Sequence, residues 1–459
     1  MHVDSSVYIT ITQGISRGYL PYHDFVDNKG PLMYLLGLPG FMLGGFTGTW
    51  ITELILMCIA VFFAYKIALF FADKYKALPA VACTFAAARA FFTVSAGTEE
   101  YSLPFLMIAL YIFTKYYFSP KRDISIPSLI VLGICFASAV LIRLNMFPLW
   151  AGFCAIIFLE LILKRRIASL GKYVLGFCAG ILVVLLPAFL YLNLNGITED
   201  FLHQVVFGGA SRGFGGASIK QTMKIFYVVL NRAYSFVPLF WGLFSMIKNC
   251  KQKDFLFCTG YTFSYILAVL FLSFSDGGDH YNLTLIPFFV PPIAVFVQSI
   301  YSAFSFFSTK AKRNLAITLF LCAVFFQQIL KYFDDFAGGF SDHSGEQLVH
   351  IGKIIDENTS ADDKIISLGI NACIYPFTQR DAASRYIYQG SGVDHLSNAR
   401  QEFLSDTLKN KPAIIAIFAD DDNGTYDYLP DWYAPVFELI ENEYRLLSDE
   451  NACFLYVRN

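Results

Sequence analysis

The sequence contains little charge for its length. Asp, Glu, Lys and Arg together make up 15% of its 459 residues, whereas 56% of the residues are hydrophobic. A soluble protein of this size needs more charged residues to cover its surface. Apolar runs recur between residues 50 and 332. They are about 20 residues long, which is enough to cross roughly 30 Å of hydrocarbon. The sequence therefore predicts a polytopic α-helical membrane protein.

Signals of other protein classes are absent from the sequence. The net charge is −2, and no basic patch indicates binding to nucleic acid. The first residues are polar and acidic, so no cleavable signal peptide is predicted. The 10 cysteines include no CxxC pair and no Cys/His spacing typical of a metal site. Cys373 and Cys453 lie in a polar C-terminal region, where an oxidising compartment would allow them to pair.

About ten hydrophobic segments are predicted to cross the membrane. Their ranges are 50–73, 77–95, 99–117, 126–142, 146–163, 173–193, 226–247, 254–274, 283–305 and 314–332. Every second connecting loop is basic, and the alternate loops, among them 194–225 and 275–282, are acidic or neutral. Because basic loops stay on the cytoplasmic side, both ends of the chain are predicted to lie outside. An acidic outer head usually follows a signal-anchor helix, so we expect a first transmembrane helix that this sequence lacks.

The composition divides the chain into three predicted regions. Residues 1–48 form an acidic extracytoplasmic segment with interfacial helices, residues 49–333 the transmembrane domain, and residues 334–459 a soluble extracytoplasmic domain. Helices and strands alternate in the last region, which indicates a small α/β domain. The predicted elements are helices at 344–357 and 396–410 and strands at 364–370, 413–419 and 453–459. This domain either caps the membrane domain or is a structural appendage.

A cluster of acidic residues opens the chain. Its first 29 residues include Asp4, Asp24, Asp27 and Lys29, predicted to lie at the outer membrane surface. DSSVYITITQGISRG is predicted to form an amphipathic interfacial helix, and LMYLLGLPGFMLGG, broken by Gly and Pro, a re-entrant or interfacial helix. A carboxylate at such a surface can act as a general base toward a hydroxyl, and a lysine can pair with phosphate. The alternative is that these are solvated charges on a loop.

Further polar residues lie at membrane depth on the same predicted face, where such groups are costly and usually functional or paired. The set consists of Arg89, Glu99, Glu100, Arg143, Asn145, Asp276, Asp279 and His280. Their convergence predicts a polar cavity that opens outward, and independent charges at helix ends are the alternative. The Gly-rich stretch FGGASRGFGG (207–216), which contains Arg212, is predicted to be a flexible outer loop.

The head sequence DSSVY…RGYLPYHDFVDNKGPLMYLL resembles the first outer loop of the GT-C superfamily of integral-membrane glycosyltransferases. It is most similar to the bacterial branch with protein O-mannosyltransferase-like and aminoarabinose transferase-like enzymes. Weaker similarities to the same family are found in GTEEYSLPFLMIAL, IRLN, DHYNLTLIPF and YPFTQRDAASRYIY, so the resemblance spans nearly the whole chain. In this family a first transmembrane helix precedes the acidic loop.

The resemblance implies a glycosyltransferase of the bacterial inner membrane. Its donor would be a polyprenyl-phosphate sugar carrying a hexose or a pentose, and its acceptor an extracytoplasmic lipid, glycan or protein, with inversion at the sugar. Asp4 matches the catalytic base, and Asp24 or Asp27 would share that task or hold the acceptor. The residues implied in substrate binding are Lys29, which neutralises the donor phosphate, Glu99, Glu100, Arg143, Arg212, His280 and Tyr281. Membrane lipids are the other expected partners. Some members use a divalent metal, but no convincing ligand set is present here, so metal dependence stays open.

Other functional classes remain as alternatives. A transporter or flippase of lipid-linked glycan would also need polar residues in the membrane, but it would show internal repeats and helices broken at mid-membrane. No clear repeat is found, and the polar residues gather at one face. A polymerase or ligase of surface polysaccharide would depend more on arginines of its outer loops. An inactive, binding-only relative is the third alternative, because the expected first helix is absent.

Overall fold

A computed structural model describes ten stretches of the chain: residues 3–92, 97–208, 219–231, 235–248, 255–274, 279–341, 344–390, 398–419, 429–450 and 453–459. The chain forms two compact units. The first comprises Met1–Thr49, Tyr191–Arg212 and Gly339–Asn459, and the second comprises Trp50–Leu190 and Gly213–Gly338. The acidic head and the C-terminal region therefore belong to one unit, although they lie at opposite ends of the sequence.

The second unit is built from helices. They are Lys74–Ala87, Thr98–Phe118, Ile126–Ile142, Pro148–Leu163, most of Ile167–Leu194, Ile219–Asn231, Phe236–Lys248, Phe255–Leu272, Ile286–Ala303, Lys310–Val324 and most of Phe326–Ser341, with the second half of Pro31–Ala68. Local sequence explains several helix starts. Ser125 caps Ile126–Ile142 by accepting a hydrogen bond from the Ser128 backbone N–H, and prolines occupy the first turns of this helix and of Pro148–Leu163.

Helices occur at all of the predicted membrane segments. Within the described residues, five helices are long and apolar enough to cross a membrane, or six when the pair Lys310–Val324 and Phe326–Asp334, bent by 72°, is taken as one span. Leu175 on Ile167–Leu194 is 73% exposed, as expected for a side chain that faces lipid. The chain is a multi-pass membrane protein, and the number of about ten spans stays a prediction.

Some predicted boundaries are wrong. The segment predicted at 77–95 is an α-helix only over Lys74–Ala87 and continues as a short 3₁₀ turn at Arg89–Phe91. The segment predicted at 226–247 overlaps two described helices, Ile219–Asn231 and Phe236–Lys248. Hydropathy detects an apolar stretch but does not mark where a helix within it begins or ends, which explains these differences.

The first unit begins with the head helix, Val3–Ser16, and the head loop, residues 17–30. The predicted head helix is present and its residues 5–12 are all buried, while its position at a membrane interface stays a prediction. The next helix, Pro31–Ala68, has non-helical backbone at Gly44 and at Gly45, whose φ is 56°. This left-handed value favours glycine, so the predicted break after LMYLLGLPGFML is present.

The C-terminal part of the first unit is a small α/β fold, as predicted. Its strands are β1 (Lys364–Leu368), β2 (Asp381–Ala382), β3 (Ile414–Phe418), β4 (Tyr444–Ser448) and β5 (Cys453–Arg458). They form one sheet in the order β2-β1-β3-β5-β4, in which β1 pairs parallel with β2 and β3, and β5 pairs antiparallel with β3 and β4. Its helices are Ser344–Glu357, Ala399–Asn410 and Ala434–Glu443. Cys373 and Cys453, which an oxidising compartment would allow to pair, are both buried and are not joined by a disulfide.

Candidate functional site

The head loop is folded tightly around its own side chains. The Leu20 backbone N–H donates to Asp24 Oδ2 at 2.7 Å, and the Asp24 N–H donates back to the Leu20 carbonyl at 3.0 Å. Tyr22 has a φ of 69°, a left-handed conformation that is costly for a tyrosine. Such a conformation persists only where the surrounding contacts fix it, and for Tyr22 these are the hydrogen bonds of its carbonyl and its hydroxyl.

Asp27 is buried at the centre of a hydrogen-bond network, with 2% of its surface exposed. Its Oδ2 accepts a hydrogen bond from the Tyr34 hydroxyl at 2.5 Å. Its Oδ1 accepts from the Asn28 N–H at 2.7 Å and from the Tyr388 hydroxyl at 3.2 Å. Hydrogen-bond donors occupy both oxygens of the Asp27 carboxylate. The side chain therefore holds the head loop in place and is not accessible to an acceptor hydroxyl as an exposed general base would be.

Tyr22 links this network to Lys29. Its hydroxyl donates to the Lys29 carbonyl at 2.8 Å. Burial raises the pKa of the Tyr22 phenol well above its ordinary value, and the neighbouring Asp27 carboxylate raises it further. The hydroxyl therefore stays protonated near neutral pH and remains a donor to the lysine backbone.

Lys29 and Asp4 are connected through the head helix. The Lys29 ammonium donates to Asn28 Oδ1 at 2.6 Å and lies 5.8 Å from the centre of the Tyr8 ring. Asp4, which is half-buried, precedes Tyr8 by four residues on the helix Val3–Ser16. Residues at this spacing share a helix face, about 6 Å apart along the axis. The fold thus places the predicted base one turn from the ring that contacts the predicted phosphate-binding lysine.

The stretch 375–388, singled out in the sequence, holds the head loop from the other side. The Val26 N–H donates to the Arg385 carbonyl at 3.0 Å, and the Arg385 guanidinium donates to the Tyr22 carbonyl at 3.2 Å. Asp381 accepts a hydrogen bond from the Tyr19 hydroxyl at 2.5 Å, and this bond raises the pKa of Tyr19, with partial burial adding to the effect. The C-terminal domain is therefore the support of the head loop.

A second polar cluster lies inside the second unit. Arg143 forms an ion pair with Glu99, which is 2% exposed, and the Thr98 hydroxyl donates to the other Glu99 oxygen at 2.8 Å. The Arg143 guanidinium lies 4.2 Å from the centre of the Tyr281 ring. The His280 and Tyr281 ring centres are 4.2 Å apart. Four of the predicted substrate-binding residues are thus in one place: Glu99, Arg143, His280 and Tyr281.

A small cavity adjoins this cluster. Glu99, Arg143, Asn145 and Thr284 form its polar wall, and apolar side chains close the rest. Its volume of about 20 Å³ leaves room for one water molecule. Asn145 Oδ1 is buried and finds no hydrogen-bond partner among the described residues, so the cavity can still accept one donor group.

Glu100 differs from its neighbour Glu99. One of its oxygens accepts the Gly97 N–H at 3.1 Å, and its Oε1 is buried without a hydrogen-bond partner in the described part of the chain. The two glutamates therefore differ in their contacts. Glu99 is paired with Arg143, whereas Glu100 Oε1 can still accept a hydrogen bond. Arg212 and Asp276 lie outside the described residues, as does the Asp279 side chain.

The side chains of the described residues do not form a site that fits a divalent metal. Among the described ranges, no group of three or more His, Cys, Asp or Glu side chains could hold a metal ion. Asp27 is surrounded by hydroxyl and amide donors rather than by further carboxylates. A metal site needs several convergent acceptors, so we derive no step through a metal.

Sequence reasoning missed part of the network around Asp27. Gln204 and Tyr34 contact the head loop, but Gln204 lies in no motif, and the head motif that contains Tyr34 did not indicate a polar role for it. Gln204 lies within the predicted outer loop 194–225, and hydropathy does not reveal that its side chain is buried, with 2% of its surface exposed. Tyr388 ends the stretch YPFTQRDAASRYIY, which was the available signal that the tail meets the head.

Comparisons with known proteins agree with the GT-C resemblance. Residues 5–334 match the family described as Putative competence-induced protein Ccs4 N-terminal domain. No curated protein matches the sequence. The structure is similar to that of ArnT from Cupriavidus metallidurans in the apo state, with a TM-score of 0.59 and 14% identity over 99% of this chain and 93% of that one. The same protein bound to undecaprenyl phosphate gives a TM-score of 0.59 and 12% identity over the same shares. This similarity in structure over nearly the whole chain confirms the fold that the sequence resemblance predicted.

Proposed function

The chain belongs to the Putative competence-induced protein Ccs4 N-terminal domain family, and from its GT-C fold and the geometry of its head we propose that it is a membrane glycosyltransferase. Its donor is a polyprenyl-phosphate sugar, a hexose or a pentose. Its acceptor is a hydroxyl of a lipid, a glycan or a protein on the extracytoplasmic face of a bacterial inner membrane. ArnT with undecaprenyl phosphate has the same fold, which supports this donor class.

The observation that carries the proposal is the arrangement of Asp4, Tyr8 and Lys29. Asp4 and Tyr8 share a face of the head helix, and the Tyr8 ring lies 5.8 Å from the Lys29 ammonium. A carboxylate and an ammonium that both border the Tyr8 position of one helix suit a reaction in which one partner loses a proton and the other carries a phosphate.

The reaction assigns a separate role to each group. Asp4 accepts the proton of the acceptor hydroxyl while its oxygen attacks the anomeric carbon of the sugar. The bond between this carbon and the phosphate oxygen breaks on the opposite face, and the polyprenyl phosphate leaves with the electron pair. Lys29 stabilises the negative charge that develops on this phosphate. One displacement from the opposite face gives inversion.

The remaining candidates support these two groups. Asp24 closes the turn at Leu20, and Asp27 holds the loop that carries Lys29, so both act through position. The second unit carries further proposed substrate-binding residues of its own, namely Glu99, Glu100, Arg143, His280 and Tyr281, and Glu100 Oε1 has no hydrogen-bond partner among the described residues. Arg212 completes the proposed set.

A transfer assay with matched variants tests the proposal. Membranes that contain the full chain are supplied with radiolabelled polyprenyl-phosphate sugars, and label in lipid, glycan and protein fractions is counted. We expect Asp4→Asn to lower the rate by about 100-fold or more, because general base catalysis contributes this much. Lys29→Ala is expected to raise the donor KM as well.

Charge-matched controls lie on the helix Ser344–Glu357. Lys353 and Glu357 form a pair at 3.6 Å with side chains 72% and 62% exposed, so Lys353→Ala and Glu357→Gln should leave transfer unchanged. No transfer from any donor, with donor binding retained, would instead indicate a binding-only relative. Movement of a lipid-linked glycan across the membrane that is insensitive to Asp4→Asn would indicate a flippase.

A further inference from the structure

Gln204 lies on a turn of π-helix, Leu202–Phe207, that follows the helix Thr198–Phe201. A π-helical turn is rare and is found most often near functional sites, because the extra residue re-aims one side chain. Here Gln204 is turned inward and only 2% of its surface is exposed. No sequence motif marked this residue, and it has no role in the mechanism described above.

The Gln204 amide holds the head loop at two points. Its Nε2 donates to the Tyr22 carbonyl at 2.6 Å, and its Oε1 accepts from the Asp27 N–H at 3.2 Å. These two points lie at either end of the segment 22–27. One side chain therefore fixes both the start of this segment and the residue that anchors its end.

Tyr22, the first of the two points that Gln204 holds, is the strained residue of the loop. Tyr22 adopts φ 69°, and its carbonyl accepts hydrogen bonds from Gln204 and Arg385. Its hydroxyl in turn donates to the Lys29 carbonyl at 2.8 Å. A strained backbone conformation persists where several contacts hold it in place. Here one of these contacts is the hydrogen bond from the Tyr22 hydroxyl to the Lys29 carbonyl. A displacement of Tyr22 would therefore be passed on to Lys29.

We propose that Gln204 is a positioning residue, which sets the place of Lys29 by holding the head loop at Tyr22 and Asp27. The inference rests on the proposed function for its consequence, namely that a correctly placed Lys29 meets the donor phosphate. Only glutamine suits both points, because they need a donor and an acceptor at the same reach. Glutamate would set an oxygen against the Tyr22 carbonyl, and asparagine is one methylene too short.

The variants Gln204→Leu, Gln204→Glu and Gln204→Asn separate position from folding. Gln389→Leu is the matched control, since Gln389 is a partly buried glutamine of the same unit. It binds the Gly369 N–H and the Tyr433 hydroxyl at Oε1 and donates to the Tyr386 carbonyl at 2.8 Å, all within the C-terminal domain. Thermal unfolding of each full-length variant in detergent shows whether it is folded, and Gln204→Asn serves as the second variant if Gln204→Leu does not fold.

The first measurement is the rate at which Lys29 is modified by an amine-reactive reagent, read by peptide mass spectrometry. We expect Gln204→Leu and Gln204→Glu to change this rate several-fold and Gln389→Leu to leave it unchanged. Protection of Lys29 by undecaprenyl phosphate should need a higher lipid concentration in the Gln204 variants. Equal labelling and equal protection in Gln204→Leu and Gln389→Leu would overturn the inference.

The second measurement is transfer kinetics. A displaced lysine should raise the donor KM and lower kcat/KM by about 10- to 100-fold, whereas a loss of folded protein lowers kcat alone. A rise in KM confined to the Gln204 variants supports the inference, and an unchanged KM overturns it. Wild-type protein that transfers nothing, with a labelling change specific to Gln204, would refute the proposed function and still support the positioning of Lys29.

Discussion

Arg143 and Glu99 form an ion pair in which both partners are largely removed from water. Their side chains are 16% and 2% exposed. Arg143 also lies over the Tyr281 ring, and the Thr98 hydroxyl donates to Glu99. Burying two charges costs free energy that their attraction only roughly repays, so the pair contributes little net stability. Removing one partner is a different matter, because it leaves the other as an uncompensated buried charge.

This asymmetry predicts the behaviour of three variants. Arg143→Met leaves the Glu99 carboxylate buried with the Thr98 hydroxyl, and we expect a loss of about 3–5 kcal/mol in the free energy of unfolding. The double variant Arg143→Met with Glu99→Leu should recover most of this loss. Denaturant titrations of the purified protein in detergent measure both. If the single and the double variants were equally destabilised, the pair would not be coupled as the geometry indicates.

Single residues were predictable to different degrees. Asp4, Lys29, Glu99 and Arg143 stand out in the sequence because charge is rare in so apolar a chain. Gln204 does not stand out, because its inward direction depends on a π-helical turn that no periodicity encodes. The pairing of Glu99 with Arg143 joins residues 44 apart in sequence, so it required the fold of the helices between them.

Glycines on two helices of the second unit allow a close approach of their backbones. A Cβ atom on Gly180 would lie 2.0 Å from the Ile130 carbonyl oxygen, and one on Gly133 would lie 2.1 Å from the Phe177 carbonyl oxygen. Gly176 and Gly180 are four residues apart on Ile167–Leu194, so they face Ile126–Ile142 together. Small residues at this spacing are common where membrane helices pack, because lipid offers no hydrophobic force to join them.

Substitution of Gly180 by alanine tests this contact. The obstructing atom is backbone, which cannot rotate away, so the two helices must separate and we expect a loss of about 1–3 kcal/mol in stability. Gly171→Ala on the same helix is the control, since nothing lies within 4 Å of a Cβ there. That variant should be neutral or more stable by up to about 1 kcal/mol. Thermal unfolding in detergent compares them, and equal midpoints would contradict a close helix contact at Gly180.

At the scale of elements, the sequence predicted where helices occur better than it predicted where each helix begins and ends. Ile126–Ile142 agrees with its predicted range because Ser125 and a following proline mark its start. The bend of 72° after Val324 has no proline or glycine to reveal it, and the two strands β2 and β4 are too short or too mixed in pattern to be found. These features depend on tertiary packing rather than on local propensity.

At the scale of the whole molecule, the head and the tail share one hydrophobic core. Val26 of the head loop is 1% exposed and packs in a cluster with Ile366, Leu368, Ile415 and Ile417 of strands β1 and β3. More than 300 residues separate Val26 from these strands in the sequence. Composition places the head and the tail in separate regions, since it cannot reveal a contact between distant segments. The C-terminal domain is therefore completed by a residue from the other end of the chain.

Val26→Ala is expected to loosen strands that are far away in sequence. Deleting two methyl groups from this core should lower its stability by about 1–2 kcal/mol. Amide hydrogen exchange of β1 and β3 should then become faster by up to about tenfold, since 1.4 kcal/mol corresponds to a factor of ten.

Val229→Ala removes the same atoms from a buried site in the second unit and should leave these strands unchanged. Exchange of the full-length protein, read by mass spectrometry, distinguishes the two variants. Equal protection of β1 and β3 in both would mean that the tail folds without the head, and the support of Lys29 by the C-terminal domain would have to be abandoned.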